Sequence, residues 1–270
     1  MKTAIACDYS VIGNGPPLFL IHGIGAARDT WRYVIKLLSN HFTVVTYDLR
    51  GHGTSPFPTA VFGLDELVED LEALRRESGI ESAHFAGHSL GGMIGPAYAR
   101  AYPERVRSLG LLSTAAFRTD EDSAKVFKVV EAMEQQGVAK ILNTLVDRWY
   151  TDEFIAEHPE IIERRMQQVV ATDENVFLNV FRIYASTEMA PWLHEIEAPS
   201  LVLTGENDGG CNPRLNRQIH DALVDSELVV LPNYKHSILL EAGETVATHL
   251  IDFIQRVETR RSHNNPSAQS

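Results

Sequence analysis

Cysteine is almost missing from this sequence, and long apolar runs are missing altogether. Cys7 and Cys211 are the two thiols; they form no C-x-x-C and have no histidine at ligand spacing, which excludes a disulfide framework and offers no zinc pattern. Each is expected to be structural. No stretch approaches the uninterrupted apolar length of a membrane span, and the opening MKTAIACDYS lacks the apolar segment of a secretory signal. Basic residues are scarce as well: 24 lysines and arginines stand against 36 acidic residues, for a formal charge of -12 and a pI near 5.4. That balance argues against a nucleic-acid surface or docking on an anionic membrane, while leaving room for a local basic patch around a small anion. The cytoplasm is the expected compartment. Neither a nucleic acid nor a membrane is an expected partner, and nothing in the composition selects between a monomer and a homo-oligomer.

What the chain does have is length for one large core, 270 residues and 30.1 kDa, and a repeating alternation of short apolar runs with amphipathic stretches. Strands are predicted over residues 3–11, 18–21, 42–47, 83–86, 106–112, 199–204 and 227–231. The run Leu18-Phe19-Leu20-Ile21 is typical of a parallel strand buried on both faces. Helices are predicted from the 3.6-residue recurrence of apolar positions after Trp31, over 65–77, 90–102 and 213–222, and over a closing 242–257. From 119 to 194 glycine nearly vanishes, and helical stretches follow one another without a strand: 122–136, 138–149, 151–158, 159–172 and 175–185. The simplest organisation is an α/β core of 1–118 and 195–258 interrupted by a helical lid at 119–194, with a polar tail at 259–270 expected to be disordered.

The chemistry centres on Gly87-His88-Ser89-Leu90-Gly91, a G-x-S-x-G pentapeptide between a predicted strand and a predicted helix. A sharp strand-to-helix turn pushes the serine hydroxyl outward, and its glycines let neighbouring backbone pass close. Serine is a poor nucleophile at neutral pH and needs a base, itself oriented by a third group. In this strand–turn–helix context the acid and then the histidine follow the serine in the chain. Asp208, in the turn Gly205-Glu206-Asn207-Asp208-Gly209-Gly210 after one strand, and His236, in the loop after the next, meet that demand. Glu206 is the nearest rival acid; Asp221 and Asp225 lie away from a strand end. The remaining histidines weighed, His84, His88, His220, His249 and His263, are read as structural or surface groups.

Acyl chemistry also needs donors for a developing oxyanion. The backbone N–H groups of Ile24 and Leu90 are the candidates, Ile24 because Gly23 and Gly25 flank it. His22 is read as architectural, and Asp48, Arg50 and His52 as a network fixing a turn.

With these residues in place, the chain resembles the α/β-hydrolase superfamily. His22-Gly23-Ile24-Gly25 is similar to its oxyanion loop, Asp48 to Ser55 to its D-x-R-G-x-G-x-S segment, Gly87 to Gly92 to its elbow, Gly205 to Asp208 to its acid turn and His236-Ser237 to its histidine loop. The texture Ser89-Leu90-Gly91-Gly92-Met93-Ile94-Gly95 followed by Pro103-Glu104-Arg105-Val106 resembles the 3-oxoadipate enol-lactonase-like esterases and lactonases. The resemblance implies a mostly parallel sheet flanked by helices, a helical cap inserted after the sixth strand, and a serine hydrolase that needs no cofactor and no metal. Serine at the elbow is unlike the carboxylate nucleophile of haloalkane dehalogenases and epoxide hydrolases. Cleavage of a small carboxylic ester or lactone, anionic enol-lactones included, is the first reading. Amide or carbon–carbon bond hydrolysis is the second, and a receptor that keeps the triad to sense a small ligand is the third.

One departure stands out: where such enzymes commonly place a proline straight after the acid, this chain has Gly209-Gly210-Cys211-Asn212-Pro213. For the small-molecule acyl substrate, Trp149, Tyr150, Phe177, Phe181, Tyr184, Met189 and Trp192 of the lid are candidate pocket walls. Arg28 and Arg182 are candidates for a carboxylate, since arginine presents a planar fork of donors.

Overall fold

A computed structural model describes residues 4–264. The strands are β1 (Tyr9–Ile12), β2 (Pro17–Ile21), β3 (Thr43–Tyr47), β4 (Ala83–His88), β5 (Val106–Leu112), β6 (Ser200–Gly205) and β7 (Ser226–Leu231). They form one seven-stranded sheet in the order β1-β3-β2-β4-β5-β6-β7. Only β1 runs antiparallel, against β3; every other pairing is parallel. Leu18, Phe19, Leu20 and Ile21 are fully buried in the centre of the sheet, as an unalternating apolar run requires.

The direction of chain progression reverses between β2 and β4. Open α/β sheets carry their crevice at such a point, beyond the carboxyl ends of the strands. Here the register Ile21 opposite Gly87 brings the segment after β2 alongside the segment after β4.

The helices are α1 (Arg32–Leu38), α2 (Leu64–Glu77), α3 (Gly91–Ala101), α4 (Asp120–Gln136), α5 (Val138–Asn143), α6 (Val146–Trp149), α7 (Asp152–Glu157), α8 (Pro159–Ala171), α9 (Glu174–Ser186), α10 (Pro213–Ala222), α11 (Ile238–Glu241) and α12 (Gly243–Asn264). On one face of the sheet, Leu67 and Leu71 of α2, Met93 and Tyr98 of α3, and Leu215 and Ile219 of α10 share a cluster with Phe19, Phe85 and Leu109. On the other, Val34 and Leu38 of α1 meet Leu250, Phe253 and Ile254 of α12. Both faces are therefore covered, as a parallel sheet demands.

Helices α4 to α9 follow one another between β5 and β6. Local signals start several of them: Thr119 and Asp122 form a reciprocal capping box at α4, Pro159 opens α8, and Asp173 caps α9 through the N–H groups of Asn175 and Val176. The insertion has a small apolar centre of its own, including Met133, Leu142, Leu145, Val169 and Phe177.

Three expectations are corrected. The insertion follows the fifth strand and not the sixth that the resemblance implied: among the described residues β1 to β5 precede α4, one for each of the five strands read from the sequence before residue 119. The helix expected over 138–149 is broken at Thr144 and Leu145, where the chain turns so that Leu142 and Leu145 both enter the small apolar centre. The tail expected to be disordered continues α12 as far as Asn264. Its Thr259, Ser262 and His263 side chains bond to carbonyls one turn back, and Arg260 and Arg261 reach Asp225 and Glu258. The rest of that tail, 265–270, lies outside the described residues.

Candidate active site

Ser89 sits directly after β4 with φ of 56°, a left-handed conformation that a non-glycine residue adopts only when its surroundings enforce it. Three contacts hold it there. Its N–H donates to the Leu112 carbonyl at 2.9 Å, its carbonyl accepts from Thr114 Oγ1 at 2.9 Å, and α3 begins immediately behind it. The glycines are mandatory for a simple reason of space: a Cβ on Gly87 would lie 2.0 Å from the Gly91 carbonyl oxygen, and one on Gly91 2.2 Å from that of Ile21.

Asp208 and His236 follow β6 and β7. His236 Nδ1 donates to Asp208 Oδ2 at 2.7 Å, which leaves Nε2 as the ring's basic nitrogen. The glycine-bearing turn that replaces the proline has a use: the N–H groups of Gly210 and Cys211 donate to Asp208 Oδ1 at 3.0 and 2.8 Å. One carboxylate oxygen is thus fixed by backbone and the other is free for the imidazole. Burial favours the neutral acid, but His236 and the two N–H groups outweigh it, and the Asp208 carboxyl is held below its usual pKa. Burial likewise disfavours the imidazolium, but the adjacent carboxylate prevails and raises His236 well above its ordinary value. Glu206, the rival acid, instead accepts from the Asn233 N–H at 2.9 Å on the surface.

The loop after β2 is built with similar economy. His22 Nδ1 donates to the Gly23 carbonyl at 2.8 Å while Nε2 accepts from the Leu49 N–H at 2.9 Å. His52 Nδ1 donates to the Arg50 carbonyl, and its Nε2 accepts from the Gly25 N–H at 3.3 Å. Burial keeps both imidazoles neutral, His52 being pushed down to about 4 and His22 well below its ordinary value. The N–H groups of Ile24 and Leu90 have no acceptor among the described residues. Below this loop, Arg50 makes a buried two-point bond with Asp70, 2.6 Å at each contact, and Asp48 accepts from the Arg28 and Thr54 N–H groups.

Ser89, Asp208, His236 and Ile24 line one cavity of about 510 Å³ beneath the helical insertion. Trp149, Tyr150, Phe177, Phe181 and Tyr184 line it too. Arg28 and Arg182 do not: Arg28 pairs with Asp8 at 3.1 Å, and Arg182 with Glu134 on the surface. Met189 is buried in the core cluster, and Trp192 carries Arg100 over its ring outside the cavity.

The cavity also holds residues that sequence reasoning passed over or read as structural. Arg165 of α8, together with Arg118, Lys125 and Arg148, supplies its cationic side chains. Cys211 Sγ lies 3.4 Å from the Tyr184 hydroxyl, and its sulfur and the ligand atoms of Asp208 and His236 fall within 4.8 Å of one another. Its place just after the acid turn was the available signal. His88 Nε2 donates to the His236 carbonyl at 3.0 Å and so steadies the histidine loop.

A family model described as the alpha/beta hydrolase fold matches residues 16–158. The chain belongs to the α/β-hydrolase family. This hydrolase is 29% identical over 229 residues to 3-oxoadipate enol-lactonase 2 of Acinetobacter baylyi, an alignment covering 84% of the chain and 85% of the relative. It is 28% identical over 240 residues to the (E)-2-((N-methylformamido)methylene)succinate hydrolase of the same organism, covering 87% and 88%. Its fold matches the crystal structure of the enol-lactonase from Burkholderia xenovorans with a TM-score of 0.85 at 24% identity, over 92% of this chain and 96% of that one. It is an enzyme of the hydrolase type. No helix among the described residues is long and apolar enough to cross a membrane.

Proposed function

We propose that this enzyme is a serine hydrolase that cleaves a small carboxylic ester or lactone through an acyl-enzyme, with Ser89 as nucleophile, His236 as base and Asp208 as its orienting acid. The observation that carries the reading is the 2.7 Å bond between His236 Nδ1 and Asp208 Oδ2 in the same cavity as a serine held at positive φ.

In the first half-reaction His236 Nε2 takes the Ser89 proton as Oγ bonds to the acyl carbon. The resulting oxyanion accepts from the Ile24 and Leu90 N–H groups. As the tetrahedral centre collapses, the bond to the leaving oxygen breaks and His236 returns the proton to it. Water then enters by the same route: His236 takes its proton, hydroxide adds to the acyl carbon, and Ser89 leaves protonated. In a lactone the leaving oxygen stays tethered to the acyl group, so ring opening yields a single hydroxy acid or, from an enol-lactone, an oxo acid.

The helical insertion acts as the cap over this site. Its aromatic walls suit a compact substrate, and the cationic side chains at the cavity favour one that carries a carboxylate, as the enol-lactonase relative suggests. Amide cleavage on the same triad is the second reading, favoured by the likeness to the methylformamido-methylene succinate hydrolase.

Replacing Ser89→Ala tests the assignment. Hydrolysis of p-nitrophenyl acetate should fall by about 10⁶-fold with an unchanged melting temperature, and a fluorophosphonate probe should label the unmodified protein at Ser89 alone. Undiminished turnover in the variant would overturn the nucleophile. Assayed on matched lactones, esters and amides, the unmodified enzyme should prefer the first two; faster amide turnover would put the second reading in their place.

A further inference from the structure

The Ile24 N–H can serve an oxyanion only if the two peptide planes that meet at Ile24 are fixed. The plane before it, which contains this N–H, is held at its carbonyl end by His22. The plane after it is held at its N–H end by His52, which accepts from Gly25. Both histidines belong to the sheet core.

The remaining end of the second plane is the Ile24 carbonyl, and its partner comes from the insertion. Arg165 of α8 donates from Nη2 to the Ile24 carbonyl at 3.2 Å and from Nη1 to the Gly25 carbonyl. Gln168, one turn on, donates to Asp29 Oδ1 at 2.8 Å and keeps α8 against the segment that follows the loop. Contact is tight: a Cβ on Gly25, whose φ is +58°, would lie 2.6 Å from the Phe177 ring and 3.2 Å from Val169. Arginine suits this task, because a rigid fork of donors spans two neighbouring carbonyls where a single ammonium cannot.

We infer that Arg165 is a positioning residue that locks the Ile24–Gly25 peptide from the helical insertion, so that the oxyanion donor is correctly aimed only while α8 is seated on the loop. This rests on the serine-hydrolase reading and extends it: the insertion that bounds the pocket also completes the transition-state site. Without the clamp the Ile24–Gly25 peptide keeps only its His52 bond, Ile24 Cα is freer to move, and the N–H on its other side, held through the Gly23 carbonyl by His22 alone, loses its aim at the acyl oxygen.

The experiment uses p-nitrophenyl acetate, a neutral ester with no carboxylate for a guanidinium to hold. In Arg165→Met, kcat should fall by about 10- to 100-fold while KM stays within about threefold, since a misaimed donor is felt in the transition state and little in the ground state. Affinity for a trifluoromethyl ketone, whose hemiketal oxyanion occupies the same place, should fall by the same factor as kcat. Arg165→Lys, able to reach one carbonyl, should lie between the two, and guanidinium ion should restore part of kcat to Arg165→Ala. Unchanged kcat in Arg165→Met, or a rise in KM alone, would overturn the clamp. If Arg165→Met does not fold, the lysine variant decides, and kcat equal to that of the unmodified enzyme overturns the inference. Ser89→Ala run in parallel separates the two claims: activity surviving there refutes the serine mechanism, whereas activity lost there but kept in the Arg165 variants refutes the clamp alone.

Discussion

The carboxyl edge of the sheet and the helical insertion both face the cavity, yet they place their side chains by different means. At the sheet edge, Ser89, Asp208 and His236 each follow closely on a strand, so parallel pairing alone carries them to one crevice. In the insertion, Arg165 reaches the loop after β2 because of how α8 packs on a distant part of the chain. The three arginines weighed against one another show the consequence. Arg28 and Arg182 each find an acid and turn from the cavity, whereas Arg165 finds two carbonyls and stays in it. Position relative to a strand end is a local property; the choice of partner is not.

This contrast can be broken at either side. The largest effect is expected at the sheet edge. Asp208→Asn should lower kcat by about 10⁴-fold, because an amide no longer selects the productive imidazole tautomer. It should also move the pH profile. The carboxylate raises the pKa of His236, and the base works only when neutral, so kcat/KM of the unmodified enzyme should rise with pH through a value above the ordinary imidazole pKa. Removing the charge lowers that pKa, and the residual limb in Asp208→Asn should shift to lower pH. A limb that stays in place would mean that another group is titrating.

At the junction between the regions, Gly25→Ala should be smaller in effect but felt in two measurements. The added methyl meets Phe177, and the left-handed backbone becomes strained, so a stability loss of about 1–3 kcal/mol, read as a lower melting temperature, should accompany reduced kcat. Intact stability and kcat would show that the insertion is not pressed on the loop. The smallest effect belongs to Arg182→Ala. Its partner Glu134 is on the surface, so stability should change by no more than about 0.5–1 kcal/mol and kcat and KM should stay the same. A marked rise in KM for an anionic lactone alone would return Arg182 to the pocket.

Much of the sheet was legible because its constraints are short. Gly87 and Gly91 tolerate no Cβ, so the elbow announces itself in five letters, and Leu18 to Ile21 can be buried on both faces only as an inner parallel strand. The acid turn was half legible: Asp208 stood out, but the N–H groups of Gly210 and Cys211 that orient it depend on a loop shape that no periodicity encodes. Leu145 broke a predicted helix to reach an apolar centre assembled from distant helices. The polar letters after Glu258 concealed a helix sustained by bonds from side chains to its own carbonyls. The stretch of the family model, 16–158, ends inside the insertion, just before α8, and the clamp lies beyond it.

Helix α9 belongs to two apolar clusters at once. Its Val176, Val180, Ile183 and Tyr184 belong to the apolar cluster that includes Leu67 of α2 and Met93 of α3, while its Phe177 and Leu178 belong to that of the insertion. Swinging the insertion away as one rigid flap would expose the first set to water, at about 1.5–3 kcal/mol for each large side chain. Helices α4 to α8, held to α9 by a much smaller centre, can be displaced at less cost. Displacing α4 to α8 against a stationary α9 would therefore expose less apolar surface than swinging the whole insertion on a hinge, at the cost of the polar bonds that Arg165, Gln168 and Thr151 make to the core.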